Sequence, residues 1–218
     1  MLQKDINVLI GCEESQAVCI EFRKLGFNAF SCDTQECSGG HPEWHLQDDI
    51  FNVINSKEWH CGIFFPPCTH LAVSGAAWFN EKKKDGRQQE GIDFFMKIVN
   101  CGIKHTAIEN PVGVMSNIYR KPTQIIQPYF FGDKSKKTTC LWLNKLPHLK
   151  HFSKPDLFND EITHTKPKLI TYKNGKTFSD DAAILFPSPE RAKLRSKTYP
   201  GIARAMATQW SEYLLTKF

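Results

Sequence analysis

Hydrophobic positions in the first half of the chain switch between short unbroken runs and helical spacings. INVLIG (6–11) is a continuous apolar run closed by Gly11, the pattern of a strand buried on both faces. ESQAVCIEFRKLGF follows with apolar residues at 17, 18, 20, 22 and 25, a helical spacing. Ser15 is its expected N-cap and Gly26 its expected C-cap. NAFSCD (28–33) reads as a second strand ending on Asp33. A glycine-rich stretch, CSGGHPEW, leads into LQDDIFNVI, where Asp48 or Asp49 would cap a short helix. HCGIFF (60–65) is a third strand, DGRQQEGIDFFMKIVNCGI an amphipathic helix, and HTAIENP (105–111) a fourth strand.

Strand and helix thus alternate four times, which predicts an α/β fold with a mostly parallel, doubly wound sheet. After residue 111 the pattern changes. YRKPTQIIQPYFFGDKSKKTTCLWLNKLPHLK is extended, basic and turn-rich, with one expected strand at TTCLWL (138–143). Residues 144–198 are polar, and Asn174-Gly175 predicts a hairpin turn. GIARAMATQWSEYLLTKF is an amphipathic helix with Pro200 near its start.

Composition narrows the class. With 218 residues, 41% of them hydrophobic, one substantial core is expected. The net charge of +5 is mildly basic and suits a phosphate-bearing partner. The eight cysteines form no C-x-x-C pair, and several sit in apolar runs. That fits reduced, buried thiols in a cytoplasmic protein better than a disulfide framework. The N-terminus lacks a signal-peptide shape, and no apolar run is long enough to cross a bilayer.

Three chemically capable features fall at the ends of predicted strands, and in a parallel sheet those ends share one edge. The first is Asp33, since an acid after the second strand often holds a ribose hydroxyl. The second is the loop after Phe65. Pro66 and Pro67 cannot donate to a sheet ladder, so the strand stops and Cys68-Thr69-His70 is lifted onto a loop. The third is Glu109-Asn110-Pro111. A cysteine and a carboxylate facing one substrate would attack it and protonate it. A thiol hydrolase pairing Cys68 with His70 or His105 is a rival arrangement. HPEWH (41–45) and HLKH (148–151) contain paired histidines, but no cysteine pair completes a site and no metal is expected.

Taken together, PPCTHLAVSG (66–75), IENPVG (108–113), LQDDI (46–50) and TYPGIARAMA (198–207) resemble the motifs of the cytosine-C5 DNA methyltransferase family, in its compact bacteriophage form. The resemblance covers roughly residues 6–143 and 196–212, in the family's order. It implies a Rossmann-like S-adenosylmethionine-dependent methyltransferase fold. The catalytic core would comprise residues 1–143 and 196–218, with 144–195 a short variable region in the place of target recognition. Cys68 matches the family's nucleophile and Glu109 its acid. Cofactor contacts are expected from Gly11, Glu13, Asp33, Asp49 and Pro66, and substrate contacts from Pro67, Ser74, Asn110, Pro111 and Lys137.

The implied reaction accounts for these residue types. Thiolate addition at carbon 6 of cytosine makes carbon 5 enamine-like, and a carboxylic acid near nitrogen 3 stabilises the developing charge. Methyl transfer from S-adenosylmethionine follows, then loss of the carbon-5 proton and of the thiol. A base in a duplex must first be flipped out. Two departures stand out. The family's glycine-rich first motif is LIGCEESQ here, with one glycine followed by Glu13 and Glu14. S-adenosylmethionine carries no phosphate, and an acid at this point suits its ammonium group. The family's arginine pair is replaced by KSKKTTCLW, with Lys136 or Lys137 in its place. The shortened variable region keeps a free cytosine nucleotide or RNA open as substrate, and the eroded first motif keeps open a non-catalytic nucleic-acid-binding relative.

Overall fold

The structure is a computed structural model that describes residues 2–154, 161–171, 175, 177–179 and 196–218. Among these residues the main sheet has seven strands: β1 (Asn7–Gly11), β2 (Asn28–Asp33), β3 (His45–Gln47), β4 (Cys61–Phe64), β5 (His105–Pro111), β6 (Gln124–Ile126) and β7 (Thr139–Asn144). Their order is β3-β2-β1-β4-β5-β7-β6. The pairings among β1 to β5 are all parallel, whereas β7 runs antiparallel to β5 and β6 antiparallel to β7. The mostly parallel, doubly wound α/β sheet expected from the pattern is therefore the observed one. Neither β3 nor β6 was foreseen. Both are three-residue edge strands, too short for a period of two to show.

Helices cover both faces: α1 (Ala17–Lys24), α2 (Ile50–Ser56), α3 (Phe79–Lys84), α4 (Arg87–Val99), α5 (Met115–Ile118) and α6 (Pro200–Leu215). Along β1, Val8 and Ile10 pack on one side with Val18, Cys19 and Phe22 of α1 and Met206, Trp210 and Leu214 of α6. Leu9 packs on the other side with Val53 and Ile54 of α2 and Phe95 and Ile98 of α4. This is why β1 beyond Asn7 carries no polar alternation: Val8 to Gly11 are buried on both faces.

Helix α1 departs from its expected start. Ser15 is not the N-cap. Gln16 is, in the left-handed region at φ 58°, and its side chain makes no capping bond. The Glu13 carboxylate serves instead, accepting from Val18 N at 2.8 Å and Cys19 N at 3.3 Å. The helix ends at Lys24 with Leu25 as its C-cap, and the expected Gly26 follows one residue later at φ 82°, which glycine adopts freely.

The polar stretch after residue 143 does not leave the core at once. Leu146 and Leu149 are buried with α1 and α6. The Gln124 amide exchanges two 2.8 Å hydrogen bonds with the Leu149 backbone, and the Trp210 indole donates to Pro147 O at 3.0 Å. Further on, β8 (Leu169–Thr171) and β9 (Thr177–Ser179) pair antiparallel around Gly175, at φ 77°. Asn174, the other expected turn residue, lies outside the described residues. No helix among the described residues is long and apolar enough to cross a membrane. Leu149→Ala should cost about 3 kcal/mol. The check is a lower denaturant midpoint at unchanged m-value.

Candidate functional site

The chain runs outward from β1 through β2 and β3 on one side, then through β4 and β5 on the other. The strand order thus reverses between β1 and β4, and open α/β sheets place ligands beyond the C-terminal strand ends at such a switch point. The turn from β1 to α1 and the loop after β4 form its two banks.

On the first bank, Gly11 ends β1. A Cβ there would come within 2.6 Å of the Phe64 ring and 2.7 Å of Ile50, so packing alone requires glycine. Glu13, expected to contact cofactor, sits in the turn leading into α1. The side chain is 4% exposed, and both its oxygens are engaged by the N-terminus of α1. Burial pushes its carboxyl up to about 8, with the Glu14 charge adding to the rise and the two N–H bonds opposing it. Glu14 is 8% exposed, and neither of its carboxylate oxygens has a hydrogen-bond partner among the described residues. The glycine-rich loop is latched over this turn. Ser38 N donates to Glu14 O at 2.8 Å, and the Gln16 amide pairs with both backbone groups of His41. A Cβ on Gly39 would sit 2.6 Å from Gln16 Cβ, which explains the glycine. Asp33, at the end of β2, is half-buried and accepts from Gln35 N at 3.0 Å. Asp49 is exposed and caps α2 by accepting from Phe51 N at 2.8 Å, which decides between it and Asp48.

On the second bank, the loop carrying Cys68 is tied down through its carbonyls. Pro66 O accepts from the Asn110 amide at 2.9 Å. Cys68 O accepts from Leu71 N and Ala72 N, each at 3.0 Å. Thr69 O accepts from the Lys82 ammonium at 2.7 Å, and His70 O from the Gln88 amide at 3.3 Å. Val114 N donates to Leu71 O, and Val73 N to Val112 O, which stitches the loop to the chain leaving β5. Lys82 is 7% exposed, and nothing in its sequence context (EKKKDGR) separated it from its solvated neighbours. Cys68 itself is half-buried, while Pro67 and Ser74 are exposed. Asn110, expected on the substrate, is 1% exposed. Its amide donates to Pro66 O and so holds the loop.

Beside this bank Glu109 enters a small cleft lined by Phe65, Lys137, Thr139, Ser196, Thr198, Tyr199 and Ile202. The register sets Glu109 opposite Leu141 and Pro111 opposite Thr139, so the start of β7 lies next to the acid. Burial pushes the Glu109 carboxyl up from the ordinary carboxylate range. The Lys137 charge and a hydrogen bond with Thr139 pull the other way. Of the two lysines left open by the sequence, Lys137 is thus the one whose charge acts on the acid. Pro111 is half-buried next to it. Four stretches far apart in the chain, at 65, 109, 137–139 and 196–202, meet in this one cleft. Cys68 is not among its lining residues and stands two residues beyond Pro66 on the tied loop.

Other candidates separate from the site. His105 begins β5, at the opposite sheet edge from Cys68, and its ring packs on Tyr213 and Phe218. This removes it as a partner for the thiol. His70 Nδ1 is buried without a hydrogen-bond partner. Among the described residues no group of three or more His, Cys, Asp or Glu side chains is placed to hold a metal ion. Cys12, Cys19, Cys32, Cys61, Cys101 and Cys140 are all pushed up by burial, which keeps them as protonated packing thiols.

No family model matches the chain, and neither does any curated protein sequence. Among solved structures, it is similar to a presumed DNA modification methyltransferase encoded within an Escherichia coli prophage. The two share 15% identity over 74% of this chain and 53% of that one, with a TM-score of 0.46. The chain spans about half the length of that protein.

Two expectations follow from the banks. The folded-state pKa of Glu13 lies above its ordinary 4.5, so its share of stability is full below that value and is lost as pH rises through about 8. Melting temperatures of the wild type should fall across that window. Glu13→Gln, which keeps an accepting oxygen without the charge, should flatten the slope. Lys82→Met leaves Thr69 O without its donor. It should lower stability by about 1–2 kcal/mol and speed proteolytic cutting between residues 66 and 84, read by thermal melts and peptide mapping.

Proposed function

We propose that this chain is an S-adenosylmethionine-dependent methyltransferase that acts at carbon 5 of cytosine in DNA, with Cys68 as nucleophile and Glu109 as acid. The observation that carries the reading is the pairing of a half-buried acid, raised by desolvation and flanked by Lys137, with a neighbouring strand-end loop that presents a cysteine on an anchored backbone.

Each residue then has a task. The Cys68 sulfur adds to carbon 6 of the ring, and the electron pair displaced from the 5,6 double bond moves toward nitrogen 3. Glu109, kept protonated more readily by burial, donates its proton there. The Lys137 charge stabilises the carboxylate that remains. Once carbon 5 carries the methyl group, loss of its proton and departure of the sulfur restore the aromatic ring, and nitrogen 3 returns its proton to the Glu109 carboxylate. Asn110 and Lys82 do none of this chemistry. They fix the loop so that the sulfur needs little reorganisation to reach the ring. S-adenosylmethionine, when bound, supplies the electrophilic methyl group. The crevice residues present fit it: an unpartnered carboxylate at Glu14 for a cationic group, and Asp33 at the end of β2 for a ribose hydroxyl. The net charge of +5 favours a polyanionic substrate.

DNA containing 5-fluorocytosine should trap a covalent adduct at Cys68, because fluorine cannot leave as a proton does. Mass spectrometry would locate it, and Cys68→Ala should abolish both adduct and methyl transfer. Glu109→Gln should slow methylation by roughly 10²–10⁴-fold while the fold persists. Labelled donor offered with DNA, cytosine nucleotides and RNA in parallel identifies the substrate. Full activity of Cys68→Ala would rule out the covalent route.

A further inference from the structure

The outer side of β2 is only partly covered. β3 pairs with Ser31 to Asp33 alone, so the first half of β2 has no strand beyond it. Aromatic and cationic side chains alternate over that stretch. The His41 ring stacks on Trp44 at 3.9 Å. The Arg23 guanidinium lies 5.3 Å from the Trp44 ring and 4.6 Å from the Phe30 ring. The Lys57 ammonium lies 4.2 Å from the Phe30 ring and 4.3 Å from the Trp59 ring. Trp59 is buried, Lys57 is exposed, and the other four are half-buried.

These contacts decide what the cluster can receive. Another strand cannot add here, because Ala29 O already accepts from Arg23 Nε at 2.6 Å. The rings are engaged by the two cations and by His41, so little apolar surface is left to dock on. Charge is what remains. Arg23 and Lys57 stand over one ring, and neither forms an ion pair with a carboxylate among the described residues. Two nearby acids are engaged elsewhere: Glu21 holds the Lys24 ammonium at 2.7 Å, and Glu43 the His41 ring at 3.2 Å. Burial and the Arg23 charge together pull the Lys57 ammonium down from its ordinary value, so the two cations repel. Phe30 lies level with Leu9, and Leu9 with Gly62, so the cluster sits several residues short of the sheet edge that carries Cys68.

We propose that Arg23 and Lys57 form a second contact surface, remote from the Cys68 and Glu109 site, that binds the phosphate backbone of a nucleic acid without reading its sequence. Arg23 is held against Trp44 and Phe30, and among the described residues its hydrogen bonding runs through Nε. Its two terminal nitrogens are left as the fork that suits a phosphate. A pair of cations fixed over rings on a rigid sheet answers anions that repeat along a chain. At this distance from the reacting base they touch flanking backbone. The surface needs neither nucleophile nor methyl donor, so it stands even if Cys68 has no catalytic role.

Fluorescence anisotropy of the full chain with a labelled DNA duplex, titrated at several salt concentrations, tests this without catalysis. Lys57→Gln should weaken binding equally for two unrelated sequences and reduce the slope of log affinity against log salt by about 1. Lys57→Arg, which restores the charge, should keep the wild-type slope. Arg23→Gln should reduce the slope by a similar amount. That variant also leaves Ala29 O without its donor, so if it fails to fold the Lys57 pair decides: the Lys57 side chain makes ring contacts and no hydrogen bond among the described residues. Lys121→Gln, which removes an exposed charge bonded to Asn117, should leave the slope as it is. An unchanged slope in Lys57→Gln, an equal loss in Lys121→Gln, or a wild type with no affinity for the duplex overturns the proposal. Polyglutamate that competes as well as unlabelled DNA at equal charge also overturns it, since the partner would then be an acidic protein.

Discussion

Parallel pairing along both edges of β1 is the constraint on which the site depends. Val8, Leu9, Ile10 and Gly11 face Ala29 to Cys32 on one side and Cys61 to Phe64 on the other. Because both neighbours are parallel, three strands end together at one sheet edge, and the connections that leave them must part in opposite directions. The crevice is a consequence of that divergence rather than of any single residue. The same register continues to β5, where Phe64 lies opposite Ile108. One residue further along each strand, Phe65 and Glu109 both line the cleft. Packing enforces this arrangement through Gly11, where a Cβ would collide with the Phe64 ring. A larger residue there would push β1 and β4 apart at the point where both banks begin.

The two banks treat their polar groups differently, and the contrast carries functional meaning. Around Cys68 the carbonyls of Pro66, Cys68, Thr69, His70 and Leu71 all have donors, two of them from buried side chains of α3 and α4. Such a loop has few ways to move, which suits a nucleophile that must meet a ring at a defined angle. Around Glu14 the backbone is just as well held, through Ser38 and through Gln16 with His41, yet the carboxylate itself is left without a partner.

Much of the fold could be read from the chain because the central strands are unbroken apolar runs and α4 shows a clear amphipathic period. HTAIENP became β5 over the same seven residues. The short edge strands β3 and β6 escaped, since three residues carry no period. The Pro66–Cys68 loop and Glu109 were visible because proline and strand ends punctuate the sequence. What could not be read was which of several similar neighbours does the work. Glu13 and Glu14 are adjacent acids, and only coordinates show one satisfied by α1 and the other not. Lys82 lies in a run of three lysines, and its burial depends on Thr69 O thirteen residues away. Lys137 differs from Lys136 only through the register of β7 against β5.

The charge layout along the edge closes the argument. Acids gather on the bank formed after β1 and β2, at Glu13, Glu14 and Asp33, and Glu13 takes two of the N–H groups at the helix terminus there. Lysine stands on the other side of the crevice, where Lys137 acts on Glu109 and packs over the Tyr199 ring at 5.9 Å. A cationic, phosphate-free molecule is therefore favoured on the first bank and an anionic one on the second. A molecule that carried both functions in one small ligand would be split between them. Under the proposed reading, a cationic donor on the first bank and an anionic substrate on the second would each find its complement, and the transfer would take place between them.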